Sequence, residues 1–413
     1  MGSRHDDRPG RRWHRGEQWR DRPVGSERGR ALPDSRQPPE PAAHVDPTWR
    51  ASLSGVRGLA ILLVLAFHVG LPVPSGGLVG VTLFFVLSGY LITSVLLREG
   101  SMSGTVDLRA FLVRRVRRLL PALTCVVCVV VLVGAATGHA STAPRDGLLS
   151  LAYAANWARA AGDPMGLLNH AWSLSIEGQF YLLWPIVFAI LARRRASTSV
   201  ATVGSLVLLA VVVTALRAAL IEGGASSGRI YFGTDVRADA LLVGSALAVS
   251  VARWGPPKVS RWFGPLAMVA IVAVSFLPTL QPLWPGSAYA FATIASLGVV
   301  VAALGDDQRG TGLAMTPLTW IGERSYSLYL VHVPILMLVG GAFVETSPVL
   351  RLGIGVTLSL VATIGLYEWV ERPFRKPRAI HSGWGALKAP AWRRQMPRVR
   401  DRVVALRALR NLA

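Results

Sequence analysis

The chain has 413 residues and a formal charge of +21, with 52% hydrophobic residues and only 16% charged ones. That is too apolar for an ordinary soluble domain, and the apolar residues fall in long runs, so the composition indicates an all-α, polytopic membrane helix bundle. It argues against a nucleic-acid partner despite the charge, because the basic residues sit mainly in tails and short loops, where topology and anionic membrane lipid account for them.

Residues 1–48 are rich in Arg, Asp, Pro and Gly without periodicity and read as a disordered basic tail. No short apolar stretch with a small-residue cleavage site follows a basic start, so no cleaved signal peptide is expected. Ten apolar segments have spanning length, at 52–71, 78–97, 119–138, 172–192, 198–221, 232–252, 263–280, 287–305, 317–341 and 351–371. They make 49–374 the membrane domain, followed by a basic tail at 375–413 with no separate soluble domain expected. Arginine is concentrated in alternate loops and the tails, so both termini are expected in the cytoplasm of a multi-pass cell-membrane protein. The longest outward loop, 139–171, is moderately apolar at 148–157 and is expected to lie at the interface or to re-enter the bundle.

The first segment, LSGVRGLAILLVLAFH at 53–68, carries Arg57 and His68 eleven positions apart. On an α-helix they share one face to within roughly 20° and stand about 16 Å apart along the axis. Ionisable groups in a membrane helix are costly, and two on one face suggest a lined cavity. The plainer alternative is a snorkelling arginine and a satisfied interior histidine. The second segment contains LFFVLSGYLI at 83–92, where Ser88 and Gly89 suit close helix packing. In FLVRRVRRLLP at 111–121, Arg115 and Arg118 share a face and suit phosphate, although juxtamembrane arginines also serve as topology signals. Arg114 and Arg117 have the same spacing, which leaves the register open. Cys125 and Cys128 form a CxxC within an apolar helix and read as core filler.

The most distinctive string is NHAWSLSIEGQFYLLWP at 169–185, with His170, Trp172, Ser173, Glu177 and Tyr181. Glu177 is the best candidate for a functional carboxylate, against the alternative of an acid favoured by a helix N-terminus. YFGTDVRADALLVG at 231–244 supplies Asp235, Arg237 and Asp239, which could neutralise one another, and SYSLYLVHVP at 325–334 supplies His332. In EWVERPF at 368–374, Glu371 and Arg372 read as a helix ending. Counting helices alternately outward and inward puts His68, His170, Glu177, Asp235, Arg237 and His332 toward the outer half of the membrane. Arg57 and the arginines at 114–118 then fall toward the inner face.

These strings together resemble the membrane acyltransferase family 3. In the first segment the matching residues are Leu53, Gly55, Arg57, Gly58, Leu59, Ala60 and His68; the others resemble the family's FFxLSGY, RxxR, WSLxxEEQFYLxWP, DxRxDALLxG and ERP elements. Two positions depart: Ser54 stands where the family often has Asp, and Gly178 replaces the second acid of the WSL motif. The resemblance implies transfer of an acyl group, usually acetyl, from acyl-coenzyme A to a hydroxyl of a glycan, lipid or secondary metabolite.

On that footing His68 is expected to act as general base, with Glu177 orienting it or holding the acceptor hydroxyl and Arg57 beside the thioester. Arg115 and Arg118, or Arg114 and Arg117, are expected to bind the coenzyme. Trp172, Ser173, Tyr181, Asp235, Arg237, His332 and His170 are expected around the acceptor. No histidine-acid cluster has metal-site spacing, so no metal is expected. The competing class is a transporter or flippase for a polar lipid or glycan, whose internal repeats and broken helices are not evident here.

Overall fold

The computed structural model describes residues 51–103, 105–136, 141–193, 197–277, 286–306 and 312–375, and among these it is helical without strands. The basic tails, apart from Arg375, lie outside the described residues. With no water in a bilayer core, a spanning segment must satisfy its own backbone polar groups, and the long apolar runs do so as helices.

In chain order these are α1 (Ala51–His68), α2 (Gly76–Ser103), α3 (Leu108–Ala136), α4 (Ala143–Leu151) and α5 (Ala155–Ala160). A 3-10 turn (Gly166–Ala171) leads into α6 (Trp172–Arg193), followed by α7 (Val200–Glu222), α8 (Ser227–Phe232), α9 (Thr234–Trp254), α10 (Phe263–Phe276) and α11 (Ser287–Asp306). The last are α12 (Thr316–Glu323), α13 (Ser325–Ala342) and α14 (Pro348–Gly365), which runs through a π-turn (Leu366–Glu371) into α15 (Arg372–Arg375).

Every one of the ten expected spans has a helix. Eight of these helices are long and apolar enough to cross a membrane. The other two are α9, which carries Asp235, Arg237, Asp239 and Arg253, and the 14-residue α10. Local signals set several starts: the hydroxyls of Ser199, Ser226 and Ser347 accept from the backbone N–H three residues on, at 3.0, 3.2 and 3.3 Å.

The centre of the bundle is α2, which packs on α1, α6, α9, α10 and α11. Its most apolar stretch is 72% buried, against 22% for α7 and for the α14–α15 run, which therefore present their surfaces to lipid. Small residues allow the tightest crossing. A Cβ on Gly89 would lie 2.0 Å from the Leu241 carbonyl oxygen, and one on Gly244 2.0 Å from that of Val86, so α2 and α9 touch backbone to backbone.

The segment read as a long loop folds back into the bundle. Asn156, fully buried on α5, donates to the Phe232 carbonyl (3.1 Å) and Thr234 Oγ1 (2.9 Å). Gln179 on α6 donates to Asn156 Oδ1 (2.9 Å) and to the Tyr153 carbonyl (2.8 Å). Tyr153 has φ of 54°, and its ring lies where a side chain at 178 would go, 2.2 Å from the Cβ that Gly178 lacks. The unusual glycine of the WSL string thus makes room for a tyrosine from the re-entrant segment.

Candidate active site

The polar residues singled out in the sequence gather at two ends of α1. At one end His68 closes the helix with Nδ1 2.8 Å from the Val64 carbonyl oxygen. A carbonyl only accepts, so Nδ1 carries the proton and the neutral ring offers a bare Nε2 lone pair. The His332 ring stands 5.0 Å away, edge to face, and His170 is 5.5 Å beyond it. His332 is fully buried, with Nδ1 3.0 and 2.9 Å from the Leu328 and Tyr329 carbonyls. The Tyr329 hydroxyl donates to the His170 carbonyl (2.9 Å) and is 2.6 Å from Ser173 Oγ. His170 Nδ1 and His332 Nε2 are buried without hydrogen-bond partners.

His68 and His170 open onto a cavity of about 710 Å³ walled by Trp172, Tyr231, Tyr289 and Tyr329. Arg237 stands against three of those rings, 4.9 Å from Tyr289, 5.6 Å from Tyr231 and 5.9 Å from Trp172, and donates to Thr82 Oγ1 at 3.3 Å. The acids near it form their ion pairs elsewhere, so the alternative that the sequence left open, in which Asp235, Arg237 and Asp239 pair with one another, is not the arrangement found. Asp235 pairs with Arg229, and Asp239 with the fully buried Arg217 at 3.1 Å.

The other end of α1 is a chamber of arginines. Arg57 Nε donates to Ser325 Oγ at 3.2 Å. Arg115 lies over the Tyr181 ring at 5.6 Å, and the Tyr181 hydroxyl donates to Glu177 Oε2 at 2.9 Å. Ser88 Oγ donates to Glu177 Oε1 at 2.8 Å. Arg57 and Arg118 are the charge neighbours of this carboxylate. The π-turn swings Glu371 inward, where it is buried, accepts from Ser327 Oγ and faces Arg375 at 3.5 Å. Glu371 and Arg375 in turn neighbour Arg57 and Arg118.

This arrangement corrects the sequence reading at two points. Glu177 is turned toward the arginines and does not orient His68, whose ring is fixed by its own helix. Glu371 is an interior carboxylate, and Arg372, rather than ending the helix, opens α15 on the surface, paired with Glu368. Of the four arginines whose register the sequence left open, Arg115 and Arg118 face the chamber, while Arg114 is 54% exposed and pairs with Glu99 at 2.8 Å. Arg117 stays half-buried on the same helix.

Sequence reasoning passed over Arg217, Tyr231, Tyr289 and Arg375. Arg217 had the signal that identified Arg57, a charge within an apolar run. The tyrosines had none, because their partner Arg237 is on another helix.

Residues 50–368 match the family profile described as an acyltransferase domain. The chain belongs to this family. It is 33% identical over 361 residues to the Bacillus subtilis (strain 168) protein named "Putative peptidoglycan O-acetyltransferase YrhL", covering 78% of this chain and 54% of that one. It is 31% identical over 361 residues to "O-acetyltransferase OatA" of Staphylococcus aureus (strain NCTC 8325 / PS 47), covering 80% of this chain and 58% of that one. The acyltransferase chain thus spans somewhat over half the length of these curated relatives. No solved structure matches it.

Proposed function

We propose that this chain is a membrane O-acetyltransferase that moves an acetyl group from acyl-coenzyme A to a hydroxyl of a cell-envelope glycan. The reading is carried by the two ends of α1: a fixed imidazole facing an aromatic cavity at one, and an arginine in a cation-rich chamber at the other. Family membership supports the reaction class, and the names of the relatives support a glycan acceptor.

The chamber suits the donor by charge. Four guanidiniums, Arg57, Arg115, Arg118 and Arg375, stand with two carboxylates, Glu177 and Glu371, and Arg118 Nε is buried without a partner. Uncompensated buried charge is costly, and an anion of about two charges would balance it. A nucleotide diphosphate is such an anion, and planar guanidinium forks match its oxygens. In this reading Arg115 and Arg118 grip the phosphates, Glu177 keeps Arg57 and Arg118 poised, and Arg57 lies further along the path of the pantetheine arm. The arginine end faces the cytoplasm, as do both termini, and the cavity opens on the far side.

At the cavity end, His68 Nε2 removes the acceptor proton as the hydroxyl oxygen attacks the thioester carbon. The C–O bond forms, the C–S bond breaks, and the imidazolium returns its proton to the departing thiolate. The Val64 carbonyl holds Nδ1–H throughout, which fixes the tautomer and stabilises the transient cation.

The test is direct. The purified full chain, reconstituted in vesicles with acetyl-labelled acetyl-coenzyme A on the arginine side and glycan on the cavity side, should place label on glycan hydroxyls. Movement of glycan across the vesicle without labelling would overturn the reading in favour of a transporter.

A further inference from the structure

We infer that the acceptor is an anionic saccharide, a sugar ring bearing a carboxylate or a phosphate ester near the hydroxyl that is acylated. The inference rests on the acetyltransferase reading and narrows its substrate. The cavity's described lining contains Arg159 and no Asp or Glu. Its aromatic walls present flat apolar faces, to which the C–H face of a pyranose can stack while its hydroxyls stay free for polar partners.

Two arginines, Arg159 in the lining and Arg237 behind it, form no ion pair among the described residues, and the carboxylates nearest them in charge, Asp163 and Asp239, pair with other arginines. Arg159 spends Nη1 on the carbonyls of Asp163 (3.1 Å) and Pro164 (3.0 Å), and its Nε is buried without a partner. Arg237, 3% exposed, has its Nε unpartnered as well, and it stands directly behind the lining rings of Trp172, Tyr231 and Tyr289. Neither forms an ion pair among the described residues. The nearby carboxylates are taken: Asp163 pairs with Arg145, Asp235 with Arg229 and Asp239 with Arg217.

Ring contacts do not remove this demand. Arg159 lies 4.6 Å over Phe232 and Arg237 lies 4.9 Å from Tyr289, but an aromatic face engages the face of a guanidinium and supplies no acceptor to the Nε–H on its edge. An unpaired buried donor costs free energy, more so when charged, and an incoming anion would relieve it. A neutral sugar would stack on the rings and leave the Nε–H of Arg159, the arginine that lines the cavity, unmet. The acetylated hydroxyl must reach His68, which opens on the same cavity, so the anionic group and the reacting hydroxyl belong to one sugar or to adjacent sugars.

The experiment compares three probes with the full chain in neutral phospholipid vesicles and acetyl-coenzyme A as donor. They are a short glycan with one carboxylate per repeat, the same glycan with its carboxylates reduced to alcohols, and the reduced glycan phosphorylated on that alcohol. At least one anionic form should exceed the reduced form in kcat/KM by roughly tenfold. The anionic form that does so identifies the source of the charge. Arg159→Gln, outside the spanning helices, should collapse that ratio toward one, and Arg237→Lys should lower it while keeping the buried charge. Equal use of all three probes, or a ratio unmoved in Arg159→Gln, would overturn the anionic class and leave the acetyltransferase reading standing. Acetylation of none would overturn both.

Discussion

Replacing Arg115 and Arg118 together with Gln should raise the apparent KM for acetyl-coenzyme A and leave that for the glycan nearly unchanged. Both guanidiniums face the chamber, and hydrogen bonds to charged groups are worth on the order of 1.5 to 3 kcal/mol each, so a single lost contact predicts about a tenfold rise or more. The comparison that isolates the effect is Arg114→Gln on the same helix. Arg114 is 54% exposed and pairs with Glu99 at the surface, where such a pair is worth about 0.2 to 1 kcal/mol. Its loss should change either KM by less than about fivefold. Lys at 115 and 118 should restore only part of the affinity, since an ammonium keeps the charge but loses the planar fork. The assay is initial-rate acetylation in vesicles with each substrate varied in turn, on variants first shown to insert in the same orientation. Equal donor constants in the double Gln and Arg114→Gln variants would refute the assignment and leave these arginines as membrane anchors.

Glu177→Gln keeps the size of the side chain and removes the charge beside Arg57 and Arg118; kcat/KM for the donor should drop at least tenfold, and near-normal kinetics would reduce Glu177 to an acid favoured by its helix N-terminus. Gly178→Ala puts a methyl group into the Tyr153 ring and should destabilise the protein by about 1 to 3 kcal/mol in detergent melts. The loss should be partly recovered in Gly178→Ala/Tyr153→Ala, whereas additive losses would mean that the two positions do not compete for space. In a variant lacking Cys125 and Cys128, a cysteine placed at 222–230 should react with an impermeant reagent applied to intact cells, and one at residue 195 should not; the reverse pattern would invert the proposed orientation.

Much of the fold was legible because a bilayer imposes a coarse rule: an apolar run of spanning length becomes helical, although the run at 317–341 breaks at Arg324 into α12 and α13. The histidine end was legible for the same reason, since charged or polar residues within such runs are few. Depth was harder to read. Glu177 was assigned to the level of His68 by counting from loops, yet the Ser88 and Tyr181 hydroxyls that hold it are on the arginine side; Tyr181 is one turn away on α6, but Ser88 comes from α2. Glu371 was hidden by a π-turn, which shifts the helix face by one residue and defeats a reading based on α-helical spacing. The surface placement of Arg114 was not legible because its partner Glu99 is on a different helix. Tyr153 reached the interior only because position 178 lacks a side chain, a pairing of a loop residue with a helix glycine that no local pattern encodes.

The central claim is that His68 takes the proton from the acceptor. In His68→Ala the imidazole is lost from the last position of α1 while the rest of the helix and the arginine chamber are untouched. Acetyl transfer to glycan, measured with acetyl-labelled coenzyme A in vesicles of matched protein content and orientation, should fall by roughly 10²- to 10⁴-fold with the donor KM nearly unchanged. A His68→Ala protein that inserts normally and turns over at a rate comparable to the parent would contradict the account.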